Sequence, residues 1–291
     1  MIKNCCLCPR MCNTLRTDER GTGYCMLPDK IYLSHYGLHY YEEPVISGKN
    51  GSGTIFFSGC NLKCEYCQNY IISRNVCGKP FTIDEFISII KDLENQNAEN
   101  INLVSPTPYS HLIIEALKKY KPSIPVVYNT SGYERPEIIK ELLPYIDIFL
   151  TDFKYGDNVL AEKYSHCKNY VEFCKNSLTV MNEKENKFND KDMMISGVIC
   201  RHLILPNHID NTKKVLDILK NLNVKIVSIM AQFTPIENPF CDLNRVITKR
   251  EYEKVLYMLD DYDFDGFVQD QDSSGKEYVP KFCFIQQEKI I

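Results

Sequence analysis

The sequence of 291 residues lacks the features that mark membrane-spanning and secreted proteins. No stretch approaches the ~18 uninterrupted apolar residues that a membrane-spanning helix needs. The first residues, Met1 to Cys6, contain no apolar segment of the kind found in a secretory signal. We therefore expect a cytoplasmic protein without a membrane partner.

The sequence also lacks tryptophan, an excess of basic residues, internal repeats and a linker rich in Gly, Ser or Pro. Its 34 Lys and Arg residues against 38 Asp and Glu give a formal net charge of -4. Nucleic-acid-binding proteins usually carry a basic surface, so we expect no nucleic acid partner. A hydrophobic content of 44% and a charged content of 25% are typical of a folded globular protein.

What the sequence does have is 14 cysteines, unevenly distributed. In a cytosolic chain, many cysteines indicate metal binding or catalysis more than disulfides. Five crowd the first 25 residues, and Cys60, Cys64 and Cys67 form a second group. The remaining six are isolated and are interpreted as ordinary core or surface thiols: Cys77, Cys167, Cys174, Cys200, Cys241 and Cys283.

From residue 53 onward, strand-like and helix-like segments alternate as six units. The strands are predicted near 54–57, 101–104, 125–128, 146–150, 198–205 and 224–230, and helices over 82–96, 109–120, from 136, 171–181, 212–222 and 248–259. Residues 182–192 are predicted to be a loop. Repeated βα units imply a parallel sheet with sites at the C-terminal ends of its strands. Six units suit either an open doubly wound sheet or a partial barrel.

The triplet Cys60, Cys64 and Cys67 has the spacing C-x3-C-x2-C directly after the first strand of this array. Three thiolates on one short loop can hold three irons of a [4Fe–4S] cube and leave the fourth iron open. The alternatives are a zinc loop completed by a distant residue, or three unrelated thiols.

This segment, with Tyr66 before its third cysteine, resembles the motif of the radical S-adenosylmethionine (SAM) superfamily. Further segments resemble its pyruvate formate-lyase activating-enzyme-like branch, of PflX type: 43–48, 51–60, 102–107, 128–133, 152–155 and 201–206. The resemblance implies an α/β fold, a partial (β/α)6 barrel preceded by a short Cys-rich arm. It sets the arm at 1–30 and the barrel domain at 31–291.

The resemblance also implies a mechanism and partners. The cluster, held by the catalytic cysteines Cys60, Cys64 and Cys67, would reductively cleave SAM to a 5′-deoxyadenosyl radical that abstracts hydrogen from a substrate. An electron donor such as ferredoxin or flavodoxin and an anaerobic setting are expected. The substrate could be a glycyl-radical enzyme, a small molecule or a peptide, and an iron–sulfur electron carrier is the alternative from another class.

The resemblance assigns cofactor-binding roles to side chains at strand ends: Tyr66, Ser105, Thr107, Asn129, Ser131, Asp152, Lys154 and Arg201. Ser105 to Thr107 occupy the place of a Gly-Gly-Glu segment that contacts the SAM amine in the superfamily, and Asn129 stands where activating enzymes have Asp. A surface ion pair is the alternative for Asp152 and Lys154. For Arg201, a SAM carboxylate and a structural salt bridge both remain open. Its neighbour His202 is expected to face the opposite way.

The arm offers four further thiolates, Cys5, Cys8, Cys12 and Cys25, while Cys6 breaks the spacing. So short a segment cannot bury a core of its own, so we expect a metal there. Both tetrahedral zinc and a second iron–sulfur cluster fit four thiolates. The basic residues of the arm are interpreted as a solvated face: Lys3, Arg10, Arg16 and Arg20.

Overall fold

The computed structural model describes residues 1–236 and 241–270. Its strands are β1 (Ile31–His39), β2 (Ser52–Phe57), β3 (Lys79–Phe81), β4 (Ile101–Val104), β5 (Val126–Thr130), β6 (Ile148–Asp152), β7 (Lys187–Phe188), β8 (Met194–Leu203), β9 (Ile226–Met230) and β10 (Asp265–Val268). Its helices are α1 (Pro44–Ser47), α2 (Tyr70–Arg74), α3 (Ile83–Asn95), α4 (Ser110–Lys119), α5 (Pro136–Leu142), α6 (Asn158–Ser165), α7 (Tyr170–Met181), α8 (Ile209–Asn221) and α9 (Lys249–Leu259).

The strands form a sheet in the order β10-β9-β8-β6-β5-β4-β2-β1-β3, with β7 paired to β8. From β2 to β10 every neighbouring pair on this path is parallel. Each new strand joins on the same side of the previous one, whereas a doubly wound sheet reverses its order. The order therefore confirms the partial barrel. Before the barrel, β1 pairs antiparallel with both β2 and β3.

Local sequence signals explain where the longer helices begin. Thr82 caps α3 and Thr248 caps α9, each in a reciprocal capping box with the Glu three residues later. Pro136 occupies the first turn of α5, where its missing N–H costs nothing. These three predicted helix starts are confirmed.

The inner face of the barrel has an apolar floor. The α1 segment lies inside the barrel, where Ile46 is fully buried against Val127, Leu150 and Ile199. The Asn100 side-chain amide of the β4 entry donates to the Ile46 carbonyl at 2.7 Å, which fixes this plug to the sheet. Larger apolar side chains on the opposite face of the strands pack against the helices.

Several elements differ from the sequence-based expectation. β1, β3 and β10 were not predicted, because short or half-buried edge strands have no clear periodicity. β8 begins at Met194, four residues before the predicted start, and the predicted loop 182–192 contains β7. Both follow from pairing between β7 and β8, which is a tertiary contact.

The isolated cysteines behave as expected where the structure describes them. Cys167, Cys174, Cys200 and Cys241 are buried, and Cys77 is partly exposed. Cys283 lies outside the described residues. In the described ranges, no helix has both the length and the apolar character that crossing a bilayer requires.

Candidate active site

A cavity of about 260 Å³ opens at the C-terminal ends of the parallel strands. The loop that follows β2 supplies Cys60, Cys64 and Cys67 to its wall. Other strand ends contribute polar groups to the same wall: Ser105, Asn129, Ser131, Asp152, Lys154 and Arg201. The topology thus brings together side chains that lie up to 141 positions apart in the sequence, from Cys60 to Arg201.

Cys64 is buried, Cys60 and Cys67 are partly buried, and all three thiols accept hydrogen bonds. The Ser165 hydroxyl donates to Cys64 Sγ at 2.8 Å, the Ser73 hydroxyl to Cys67 Sγ at 3.5 Å, and the Leu62 amide to Cys60 Sγ at 3.4 Å. Burial raises the pKa of the Cys64 thiol to about 12 and also raises that of Cys67. Their thiolates therefore need positive charge beside them, which bound iron supplies.

Three thiols on one loop are a donor set that fits a [4Fe–4S] cluster. Among the described side chains, no three or more His, Cys, Asp and Glu converge in a way that could hold one metal ion. A [4Fe–4S] cube does not need that convergence, because each thiolate binds a different iron. Three cysteines are present among the described residues that line this cavity.

The side chain of Tyr66 connects the cysteine loop to a buried hydrogen-bonded chain. Its side chain is 6% exposed, and its hydroxyl lies 2.9 Å from that of Tyr155. Tyr155 in turn lies 2.6 Å from the Ser165 hydroxyl, the donor to Cys64. A buried hydrogen-bonded chain therefore connects the aromatic residue of the motif to one of its thiols.

Ser105 and Thr107, which the sequence placed together, lie in different environments. Ser105 adopts a left-handed backbone conformation (φ 59°) and lines the cavity. Thr107 does not line it, since its hydroxyl donates to the fully buried Glu134, as does that of Thr130. Burial raises the pKa of Glu134 to about 7. Thr107 therefore does not face the cavity in which a cofactor contact was expected.

The next strand ends present an amide and a hydroxyl. Asn129 donates to Glu42 Oε1 at 3.3 Å and accepts from Arg201 at 2.6 Å. The Ser131 hydroxyl is buried and has no hydrogen-bond partner among the described residues, although Ser131 lines the cavity. A buried hydroxyl without a partner is costly, so Ser131 is suited to a polar ligand.

A charged layer lies between the apolar floor and the cysteines. Arg201 donates to Asp152 Oδ1 and to Glu42 Oε2, both at 3.0 Å. Lys154 forms an ion pair with Asp152. Its positive charge also favours the Cys64 thiolate and partly opposes the rise in the Cys64 pKa that burial causes. Burial opposes ionisation of Asp152, but Lys154 and Arg201 outweigh it and hold the Asp152 pKa below its usual value.

Glu43 completes this layer as a buried acid. Burial and the neighbouring Glu42 raise the Glu43 pKa, and the opposing effect of Arg201 does not cancel them. Glu42 and Glu43 were not predicted as site residues, because segment 43–48 indicated only the family and the four-residue α1 has no periodicity that would place its entry. His202 is buried on the opposite face, with Phe153 O and Thr212 Oγ1 as partners, which confirms its predicted orientation.

The arm brings its four cysteines together. Cys5, Cys8, Cys12 and Cys25 line one small cavity of about 20 Å³. The Tyr24 amide donates to Cys12 Sγ at 3.4 Å. Cys6 is set apart and donates to Asn13. The interpretation of the basic residues as a solvated face is wrong for Arg16, which is 1% exposed and donates to the Pro28 and Pro108 carbonyls at 2.8 Å.

Comparison with known proteins agrees with this geometry. The sequence profile of the Radical SAM superfamily matches residues 54–172. The chain is 35% identical over 278 residues to an uncharacterized protein of Methanocaldococcus jannaschii, covering 91% of this chain and 77% of that protein.

Relatives with functional names include two activating enzymes from Clostridium. The pyruvate formate-lyase-activating enzyme of Clostridium pasteurianum is 24% identical over 235 residues, 74% of this chain and 90% of that enzyme. The 4-hydroxyphenylacetate decarboxylase activating enzyme of Clostridium scatologenes is 32% identical over 135 residues, 43% of this chain and 40% of that enzyme.

Among solved structures, Streptococcus suis SuiB bound to precursor peptide SuiA aligns with a TM-score of 0.52 at 12% identity. The alignment covers 73% of this chain, but this chain spans only 47% of the SuiB chain. At this identity the likeness concerns the fold alone.

Proposed function

The chain belongs to the radical SAM superfamily, and on that premise we propose that it is an activating enzyme whose substrate is a glycyl-radical enzyme. It is an enzyme that uses a [4Fe–4S] cluster and SAM. When bound, these cofactors supply the 5′-deoxyadenosyl radical that abstracts hydrogen from the substrate. The three thiols of one loop that line one cavity wall carry this proposal, and the named relatives support its substrate class.

We propose that Cys60, Cys64 and Cys67 each bind one iron of the cluster. The donors Leu62 N–H, Ser165 and Ser73 would then stabilise the thiolates, as hydrogen bonds to cluster sulfurs do. Tyr66 positions the loop through its bond to Tyr155 and does not need to contact SAM directly.

We propose that SAM lies against the polar strand ends. Ser105, Ser131 and Lys154 offer hydroxyls and an ammonium to the cavity, and the Ser131 hydroxyl is not used elsewhere among the described residues. Asp152 and Asn129 line the same wall. Arg201 acts as a positioning residue for these two, because each of its three nitrogens donates to Asp152, Glu42 or Asn129. Thr107 positions Glu134 through its hydrogen bond and does not contact SAM.

We propose that Cys5, Cys8, Cys12 and Cys25 hold a second metal centre. They line one cavity, and burial raises the pKa of Cys8 and Cys25, so their thiolates also need a nearby cation. Four thiolates suit either tetrahedral zinc or an iron–sulfur cluster. A low-potential carrier such as ferredoxin or flavodoxin would deliver the electron to the enzyme.

The radical chemistry is tested by 5′-deoxyadenosine formation. The protein is purified without oxygen, reconstituted with iron and sulfide, and given dithionite and SAM. We expect 5′-deoxyadenosine from the intact protein and from Cys77→Ala, whose thiol lies outside the cavity, but none from Cys64→Ala. Equal product from Cys64→Ala and the intact protein would refute the assignment of the cluster thiols.

The substrate class requires a second experiment. A glycyl-radical enzyme from the source organism is mixed with the reconstituted protein, SAM and reductant, and its glycyl radical is measured by electron paramagnetic resonance (EPR). A glycyl radical that depends on SAM supports the proposal. Formation of 5′-deoxyadenosine without that radical would indicate a small molecule or peptide as the substrate.

The second metal is identified in a Cys60, Cys64 and Cys67 triple alanine variant. Residual iron and sulfide in this variant would establish an iron–sulfur cluster in the arm. Zinc at about one ion per chain would instead establish a tetrahedral zinc site.

A further inference from the structure

Two residues of the arm hold the backbone of the cysteine loop. Arg10 lies between Cys8 and Cys12, and its Nε donates to the Asn61 carbonyl at 2.8 Å. Tyr24 precedes Cys25, and its hydroxyl donates to the Leu62 carbonyl at 3.0 Å. Both acceptors lie between Cys60 and Cys64. The arm therefore contacts the segment that connects the first two thiols of the central site.

The same guanidinium reaches the element that supplies the donor to Cys64. Arg10 Nη2 donates to the Ser165 carbonyl at 3.0 Å, and Nη1 donates to the carbonyl of His166. His166 has a left-handed backbone (φ 53°) at the end of α6, and the Ser165 hydroxyl bonds Cys64 Sγ at 2.8 Å. Arg10 thus connects the cysteine loop to the turn that carries its hydroxyl donor.

Arg10 and Tyr24 lie beside the four thiols of the arm. Arg10, Tyr24 and Asn61 line the same small cavity as Cys5, Cys8, Cys12 and Cys25. The Arg10 guanidinium lies 3.9 Å from the centre of the Tyr24 ring, so the two side chains form one unit. Within residues 1–30 the described backbone has isolated bridges and hydrogen-bonded turns, and no helix or longer strand.

We propose that the four-thiol site of the arm is a clamp on the central cluster: metal bound there fixes Arg10 and Tyr24, and these set the hydrogen bond from Ser165 to Cys64. The proposal rests on the proposed function, because both sites must be loaded. A hydrogen bond to a cluster thiolate makes the reduced, more negative cluster easier to form. Loosening the clamp therefore makes the reduction potential of the central cluster more negative.

The proposal is tested on the full reconstituted chain by redox titration of the central cluster, monitored by EPR. Arg10→Lys keeps the charge but cannot serve three carbonyls with a planar fork. We expect a more negative potential for Arg10→Lys, for Ser165→Ala and for Cys12→Ser. The matched control is Arg20→Lys, an exposed arginine of the same arm, which should leave the potential unchanged.

A double variant separates the clamp from a general loss of structure. If Arg10 acts through Ser165, then the change caused by Arg10→Lys disappears in the Ser165→Ala background. Additive changes, or an unchanged potential in Arg10→Lys, would overturn the clamp while leaving the proposed function intact. A central site that binds no iron in the intact chain would overturn both proposals. If the arm cysteines hold no metal and the central cluster keeps the potential of the metal-loaded protein, the clamp alone is overturned.

Discussion

At the scale of single residues, Glu134 is the clearest case of a role that the sequence hides. Its carboxyl group is fully buried, it accepts from Thr107 and Thr130, and its Oε2 has no partner among the described residues. The family resemblance implied that Thr107 contacts the cofactor, because Ser105 to Thr107 occupy the place of a segment that contacts the SAM amine. The structure turns Thr107 toward Glu134 instead, and this orientation depends on the neighbouring strand β5.

Glu134→Gln is expected to flatten the pH dependence of stability. Burial raises the folded-state pKa of Glu134 from 4.5 to about 7, so its contribution is fully present below pH 4.5 and is lost as the pH rises through 7. The loss amounts to about 3 kcal/mol by linkage. We expect the variant to gain stability relative to the native chain at pH 8 and not at pH 4.5, measured by urea unfolding. Parallel stability curves would contradict a buried carboxyl with a raised pKa.

Arg201→Met tests the charged layer. Removal of this guanidinium leaves Asp152 and Glu42 without their shared cation, and breaking a buried pair typically costs about 3–5 kcal/mol. We expect that loss in the free energy of unfolding at pH 7, measured by urea unfolding. The control, Arg250→Met, replaces an exposed arginine and should cost little. Equal costs for the two variants would show that Arg201 is not needed to balance this layer.

At the scale of elements, the α1 plug shows what pattern analysis misses. Four residues are too few for a helical period, so neither the helix nor its place inside the barrel is visible locally. In contrast, the starts of α3 and α9 were predicted from two capping boxes, Thr82 with Glu85 and Thr248 with Glu251. Capping is a local interaction, so it is visible in the sequence.

Ile46→Ala is expected to destabilise the barrel. The side chain is fully buried among the apolar floor residues, and such truncations usually cost about 2–5 kcal/mol. The control is Val159→Ala, because Val159 is 76% exposed. Chemical denaturation of both variants measures the difference, and a loss for Ile46→Ala as small as that of the control would exclude a packed plug.

At the scale of the whole molecule, the arm packs against the barrel through buried contacts. Arg16 is buried and donates to Pro108 near the second strand end of the barrel, while Asp29 pairs with His111 of α4 at 2.7 Å. Leu27 is fully buried in the main core. Arm and barrel therefore share buried contacts on both sides of their boundary.

These contacts predict cooperative opening of arm and barrel in the metal-loaded protein. The Arg16 amide, which donates to the Ile2 carbonyl at 2.8 Å, should exchange its hydrogen through the same global unfolding as amides of β5. Hydrogen exchange under native conditions measures both. Exchange of Arg16 that is orders of magnitude faster than that of β5 would show an arm that opens alone.

The sequence by itself determined the chemistry and the fold class. The C-x3-C-x2-C spacing on one loop, the alternation of strands and helices, and the capping residues are local patterns, and local patterns can be read along the chain. Cys60, Cys64 and Cys67 therefore could be found without a structure, as could the partial barrel once the family resemblance was recognised.

The tertiary structure alone decided which polar groups meet. Parallel strands carry the ends of distant segments to one edge, so Arg201 reaches Glu42, and Arg10 reaches the turn at Ser165. It also turned Thr107 away from the cavity and buried Arg16. Such pairings depend on strand order and on the burial that makes an unpaired charge costly, and neither is encoded in the spacing of neighbouring residues.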